Sequence, residues 1–257
     1  MHLITSRENP HVKAWRRLAQ DSTAYRKSGQ FWLEGDHLCR AALERGVRPL
    51  QVVLTESFQL EQGNAWVGLT DQVFVLPDTL FASLSGLESP ARMGFVVAWA
   101  AENQVLPAVA TVVLDRLQDA GNVGAILRCA SAFGYRQVLA VKGTAALWSP
   151  KVLRAGMGAH FGLQLIESVS PAEVAALHVP LLTTSSHQGP FLHELLRRGE
   201  LPTQCAWVFG HEGQGVSEYL MAMARLSVRI AQPGGEESLN VATAAAICLH
   251  ASASAGL

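Results

Sequence analysis

The sequence predicts an α/β protein of two domains, a smaller N-terminal α/β domain over residues 1–100 and a larger one with a mostly parallel sheet over residues 107–257. Three observations predict it. Short apolar runs alternate with helical segments along most of the chain. The stretch AENQVLP (101–107) breaks that alternation with polar residues and a proline. Of 257 residues, 49% are hydrophobic and 16% charged, enough apolar material for a buried core in each half.

Asn9 before Pro10 reads as a helix N-cap with proline at the first helical position. The following HVKAWRRLAQ puts Val12, Trp15 and Leu18/Ala19 on one stripe, with Lys13, Arg16 and Arg17 off it. FWLE (31–34) is strand-like, HLCRAALERG (37–46) is a helix stopped by Gly46, and LQVVLT (50–55) and VFVL (73–76) are strands. A short helix starts near Pro77 and Asp78, and FVVAWA (95–100) closes the unit. In the second half ATVVL (110–114), RQVLAV (136–141), PLLTT (180–184), CAWVFG (205–210) and LSVRI (226–230) are continuous apolar runs, as strands buried on both faces require. Helices are expected at 122–133, 151–155, 172–177, 191–196, 218–224 and 239–250, with the last seven residues frayed.

Twenty Lys/Arg against 21 Asp/Glu give no global field for a nucleic acid. The regional split says more. Residues 1–50 carry nine basic and five acidic side chains, residues 51–106 one and six, and residues 107–257 ten and ten. The basic excess sits at the N-terminus, where the first helix carries a cationic face; a solvated surface explains it as well as a binding one. Cys39, Cys129, Cys205 and Cys248 are far apart and outside any CxxC pair, so they read as small core hydrophobes of a reducing compartment. No apolar run reaches the ~18 residues of a membrane span, and the expected location is the cytoplasm. The nine histidines show no metal-ligand spacing, so no metal is expected; His187 and His193 read as surface or satisfied core residues.

Chemistry in a parallel sheet belongs at the loops leaving the carboxyl ends of strands. Three such loops are unusual: RLQDAGNVGAILRCASAFG (116–134), HEGQGVS (211–217) and AQPGGEESLNVATAAA (231–246). None is a phosphate cradle, since GxGxxG does not follow a strand and GxxxxGK[ST] is absent. Nucleotide hydrolysis and a nicotinamide-dependent oxidoreductase are therefore poor readings, whereas a sulfonium ligand without phosphates needs no cradle. Taken singly, Arg128 suits an ion pair as well as catalysis. Glu212 suits a backbone amide or helix N-terminus, and Ser238 and Asn240 suit helix caps.

Taken together, NVGAILRCASAFG (122–134), VFGHEGQGVS (208–217) and RIAQPGGEESLNVATAAAI (229–247) resemble the three signature segments of the SpoU/TrmH RNA 2′-O-ribose methyltransferases of the SPOUT superfamily, and SPKVLRAGMGAHFGLQL (149–165) resembles the stretch between the first two. That resemblance implies a trefoil-knotted C-terminal domain, a homodimer with active sites near its interface, and S-adenosylmethionine as cofactor. It implies that Gly210, Ile230 and Leu239 hold the cofactor, with Phe209, Gly215 and Ser238 in the pocket wall. It makes Arg128 the catalytic side chain, with Asn122 and Asn240 holding Arg128 or the target ribose, Glu212 ordering the second loop and pairing with an arginine, and Ser238 positioning the nucleotide. SRENPHVKAWRRL and FWLEGDHLCRAAL resemble the smaller RNA-binding domain of many such enzymes, so Lys13, Arg16, Arg17, Arg26 and Lys27, with Arg154, are expected against RNA phosphates. The expected substrate is ribosomal RNA; the alternatives are transfer RNA, or a non-catalytic RNA-binding or ribosome-assembly role on the same fold. The segment QPGGEE (232–237) departs from the common form of the third signature.

Overall fold

The computed structural model describes residues 1–62, 65, 66, 68–86, 89–102, 104–235 and 238–255. Glu236 and Glu237 of the departing QPGGEE segment, and the last two residues of the chain, lie outside the described residues. The chain divides into two compact units. One comprises residues 1–101 together with 148–161, and the other comprises 102–147 and 162–257.

In the first unit a five-stranded mixed sheet has the order β1 (His2–Leu3), β4 (Val73–Leu76), β3 (Pro49–Thr55), β5 (Met93–Ala98), β2 (Gln30–Glu34). The first three are mutually parallel, and β5 is antiparallel to both its neighbours. Helix α1 (Pro10–Gln20) starts as its sequence dictates: the Asn9 side chain accepts the His11 N–H at 2.9 Å, and Pro10 occupies the first turn. Its stripe of Val12, Trp15, Leu18 and Ala19 is buried in a core with Trp32, Val53, Phe74 and Phe81. Helices α2 (Ala24–Ser28) and α4 (Glu56–Gln62), and the two-residue β1, were not apparent in the sequence; α3 (Asp36–Glu44) and α5 (Asp78–Ala82) were. Also in this unit is α7 (Pro150–Gly156), capped by the Ser149 hydroxyl on the Val152 N–H.

The second unit carries a six-stranded sheet in the order β11 (Leu226–Val228), β9 (Leu181–Thr184), β10 (Ala206–Gly210), β6 (Thr111–Asp115), β7 (Gln137–Val141), β8 (Gln164–Val169). Every pair in it is parallel. Strand β8 adds an edge to the five strands read from sequence. Helix α6 (Ala120–Ala132) begins two residues earlier than its apolar pattern indicated, because the Asp119 side chain caps it by accepting the Asn122 N–H at 2.7 Å. Helix α11 (Val241–Ser254) begins two residues later, with Asn240 as its N-cap, and runs through residues expected to fray. It packs on α6 and closes over β10, where its Ser252 hydroxyl accepts the Trp207 indole N–H at 2.8 Å. Helices α8 (Pro171–Ala175), α9 (Leu192–Arg198) and α10 (Glu218–Met223) complete the unit. The cysteines are free, three of them buried and Cys129 half-buried, as small apolar side chains are. Among the described residues no helix is long and apolar enough to cross a membrane.

Candidate active site

Asp115 at the end of β6 is paired across the sheet with Gly210 at the end of β10. Strands β7 and β8 extend the sheet to one side of this pair, β9 and β11 to the other. The strand order reverses there, and open parallel sheets bind ligands outside the carboxyl ends of strands at such a point.

The buried Asp115 carboxylate accepts the Ser217 N–H at 2.6 Å and the Arg116 Nε–H at 3.1 Å. Arg116 in turn donates to Gln214 Oε1 at 3.1 Å, so the middle and the far end of the loop after β10 are tied to the end of β6. Within that loop His211 Nδ1 accepts the N–H groups of Gly213 (3.0 Å) and Gln214 (3.3 Å). A ring nitrogen that accepts two amides carries no proton, so the neutral imidazole holds its hydrogen on Nε2. Gly210 itself admits no side chain: a Cβ there would run into the carbonyl carbon of Gly215 and the amide nitrogen of Val216.

Glu212 reaches from this loop to the loop after β6. Its Oε2 accepts the Gln118 N–H at 3.2 Å, and its Oε1 accepts the Asp119 N–H at 3.1 Å and the Asn122 Nδ2–H at 3.3 Å. Asn122 Oδ1 accepts from Asn240 Nδ2 at 2.9 Å, and Asn240 Oδ1 caps α11 by accepting the N–H groups of Ala242 (2.9 Å) and Thr243 (3.2 Å). One chain of hydrogen bonds, Glu212–Asn122–Asn240, therefore joins all three signature segments. Glu212 serves it through amides, with no ion pair to an arginine among the described residues.

Burial raises the Glu212 carboxyl, but the N–H donors of its own backbone, Asp119, Asn122 and Gln118 outweigh that effect and leave it below its ordinary value. A carboxyl depressed on folding stabilises the fold above its unfolded pKa, and that stabilisation is lost as pH falls through the folded one. Glu212→Gln exchanges one accepting oxygen for an NH2 group that faces donors. The expected result is a lower melting temperature than wild type at neutral pH, with the gap closing as both proteins are titrated into the acid range. A gap of equal size at every pH would assign the loss to packing instead.

A cleft of about 710 Å³ opens over the ends of β9, β10 and β11, within the roughly 300–1,000 Å³ usual for small-molecule sites. Gly210, Glu212, Gly215, Ile230, Ser238, Leu239 and Asn240 all line it. The loop after β9, Thr184 to Gln188, lines it too, so His187 is exposed, as a surface residue should be, and its part of the surface is the cleft wall. No Lys or Arg is found among the described residues of this wall. Its apolar side chains, with the exposed backbone of glycine loops, suit a flat apolar ring bearing polar edges, and its lack of cations suits a ligand that is itself positively charged and free of phosphate.

Phe209 is fully buried, its ring stacked with Trp207, and it does not line the cleft. Neighbouring residues of a strand face opposite sides, so Phe209 turns into the core where Gly210 meets the loop. Arg128 is exposed on α6, outside the cleft wall, with no hydrogen bond or ion pair among the described residues. Six residues along a helix place it about 120° around the axis from Asn122, so neither Asn122 nor Asn240 holds it. In the first unit Lys13, Arg16 and Arg17 border a shallow depression on α1 with Gln20 and Asp21. Lys13 pairs with Glu8 at 2.6 Å, and Arg16 donates to the Ser83 hydroxyl at 3.4 Å. Arg26 lies over the Tyr25 ring, Lys27 is exposed beside it, and Arg154 ends α7.

The model of the SpoU rRNA methylase family matches residues 110–250. That of an MRM3-like substrate binding domain matches residues 9–94. A 23S rRNA (guanosine(2553)-2′-O)-methyltransferase of Bacillus subtilis is 28% identical over 97% of this chain and 98% of its own length. A Synechocystis protein described as an uncharacterized tRNA/rRNA methyltransferase is 30% identical over 96% of this chain and 92% of its own. An AdoMet-bound rRNA methyltransferase from Sinorhizobium meliloti, 25% identical, superposes with a TM-score of 0.82 over 97% of this chain and 96% of its own.

Proposed function

This chain belongs to the SpoU rRNA methylase family, and from that membership we propose that it transfers a methyl group from S-adenosylmethionine to a ribose 2′-hydroxyl of ribosomal RNA. The observation that carries this reading is the Glu212–Asn122–Asn240 chain, which knits three strand-end loops around a cleft with no Lys or Arg among its described residues. A pure binding module has no need to lock these three side chains together. Ribosomal rather than transfer RNA is supported by the relative named for 23S rRNA and by the substrate-binding match over residues 9–94.

When bound, S-adenosylmethionine supplies a methyl carbon made electrophilic by its sulfonium. Ile230 and Leu239 provide apolar walls for the adenosyl part, and the backbone around Gly210 and Gly215 approaches it closely. Glu212, through the amides of Gln118 and Asp119, fixes the loop that leads into α6. Asn122 and Asn240 hold that loop against α11, and Ser238, exposed at the cleft edge, faces the incoming nucleotide. The ribose hydroxyl is a weak nucleophile, so positioning and electrostatics supply most of the acceleration. Arg128 does this work, orienting the 2′-OH and the neighbouring phosphate and stabilising the developing alkoxide, the proton leaving to water or phosphate.

Because Arg128 stands outside the cleft wall of its own chain, the proposal includes a homodimer that covers this surface. Half-exposed Ala125 and Cys129 of α6 and the exposed Ile247 of α11 support it. The same reading carries a trefoil-knotted backbone at the cleft. Gly189 passes so close to the Ser227 carbonyl that no Cβ fits between them, which is the kind of tight crossing a threaded segment needs. Free thiols suit a reducing cytoplasm. Calorimetric titration tests the cofactor assignment: S-adenosylmethionine binds and NAD does not, and the opposite order removes it.

The domain over residues 1–100 is the RNA-binding part of this proposal. Replacing Lys13, Arg16 and Arg17 together by alanine lowers RNA affinity across all sequences. It also reduces the slope of log affinity against log salt by roughly one for each phosphate no longer neutralised. Filter binding at several salt concentrations reads it; an unchanged slope takes α1 out of the interface. Arg26, Lys27 and Arg154 extend the same cationic surface in the proposal.

A further inference from the structure

One polar atom in the cleft wall takes no part in the hydrogen bonds that join the three loops. Gln232, on the segment between β11 and α11, lines the cleft, and its side-chain carbonyl Oε1 is buried without a hydrogen-bond donor among the described residues. Buried acceptors are almost always paired, and one that is not has lost its water without recompense. A donor arriving with the ligand would restore the missing bond.

We propose that the Gln232 side-chain carbonyl reads the exocyclic amine of the adenine ring, making Gln232 a specificity-determining residue for the cofactor. This rests on the adenosyl reading of the cleft and deepens it. An adenosyl ligand offers three kinds of donor: the ring amine, the ribose hydroxyls and an ammonium. The ammonium is matched by the cleft's carboxylate, Glu212, and sugar hydroxyls by hydroxyl side chains such as Thr184 and Ser185. Gln232 instead follows Ile230 by two residues and shares the wall with Val228 and Leu239. The flat apolar purine seats among these side chains, and the amine is the donor on its edge. A site built to accept from an N–H rejects the analogue that lacks it, because its own buried carbonyl is then left unpaired.

The test is calorimetric binding of three ligands that differ only along the N1–C6 edge of the purine: S-adenosylhomocysteine, S-inosylhomocysteine and the purine-riboside analogue that carries hydrogen at position 6. Each is titrated into wild type and into Gln232→Met, whose side chain keeps the length and removes the carbonyl, with unliganded melting curves confirming that both are folded. Wild type is expected to bind S-adenosylhomocysteine on the order of tenfold more tightly than either analogue, and Gln232→Met to lose that difference. Discrimination retained by Gln232→Met, absent from wild type, or reversed in favour of the inosyl compound overturns the proposal. Wild type that binds none of the three overturns the adenosyl reading itself, a different result from equal binding of all three.

Discussion

Arg128→Ala is expected to reduce methyl transfer by about 10²–10³-fold, the usual consequence of deleting one charge-stabilising donor, while S-adenosylmethionine affinity stays close to wild type. The separation follows from geometry. Arg128 lies on the exposed side of α6, outside the cleft wall and apart from the hydrogen bonds that shape it. Its loss leaves the cleft intact and removes only the charge that the proposed mechanism sets against the developing oxyanion. Equal losses of activity and affinity would make Arg128 structural. Arg128→Lys separates electrostatic help from proton abstraction. A lysine ammonium, with an ordinary pKa near ~10.4, titrates well below a guanidinium. A base at this position would therefore shift the pH–rate profile, whereas a stabilising charge lowers the rate and keeps the profile.

Gly210→Val is expected to do the reverse, destroying cofactor binding first. The Cβ has nowhere to go, because the Gly215 carbonyl and the Val216 amide occupy its place. Those atoms belong to a loop segment held on either side, by Arg116 on Gln214 and by Asp115 on the Ser217 N–H. Overpacking a fixed loop costs roughly 1–3 kcal/mol, and the same cost borne by the cofactor-bound state lowers S-adenosylmethionine affinity by about 5- to 150-fold. Gly210→Ala shows the same effect, since the first carbon already collides. Calorimetry and unliganded melting curves check it; undiminished affinity in a folded protein would take Gly210 out of the site.

The pair also shows how far the site was legible. The three loops stood out because each is glycine-rich or capping-rich and directly follows an apolar strand, and sheet geometry brings such loops together; the roles of Gly210, Glu212, Ile230, Leu239 and Asn240 came from the family resemblance of the segments that contain them. Their interlocking did not: Glu212 binds amides more than 90 residues away in sequence, a pairing that no local pattern encodes. His187 escaped because SSHQG reads as an ordinary polar turn, although the same rule that selected three loops applied to the one after β9. Phe209 was placed in the wall by its neighbour, yet strand alternation sends its ring the other way. In the fold, capped helices and continuous strands were plain from sequence. The edge strand β8 was hidden because its half-exposed residues interrupt the apolar run. The helix α7 segment groups with the first unit through the close fit of Gly158 against Ala41, a proximity set by tertiary packing.

The central claim is a reaction at one oxygen. Purified protein incubated with methyl-labelled S-adenosylmethionine and unmodified ribosomal RNA, followed by alkaline hydrolysis, tests it most directly, because a 2′-O-methyl group blocks cleavage of the adjacent phosphodiester. The account predicts label in alkali-resistant dinucleotides, reduced by Gly210→Val and strongly reduced by Arg128→Ala. Label released in mononucleotides, as from a methylated base, or no label in RNA that the protein binds, would contradict it.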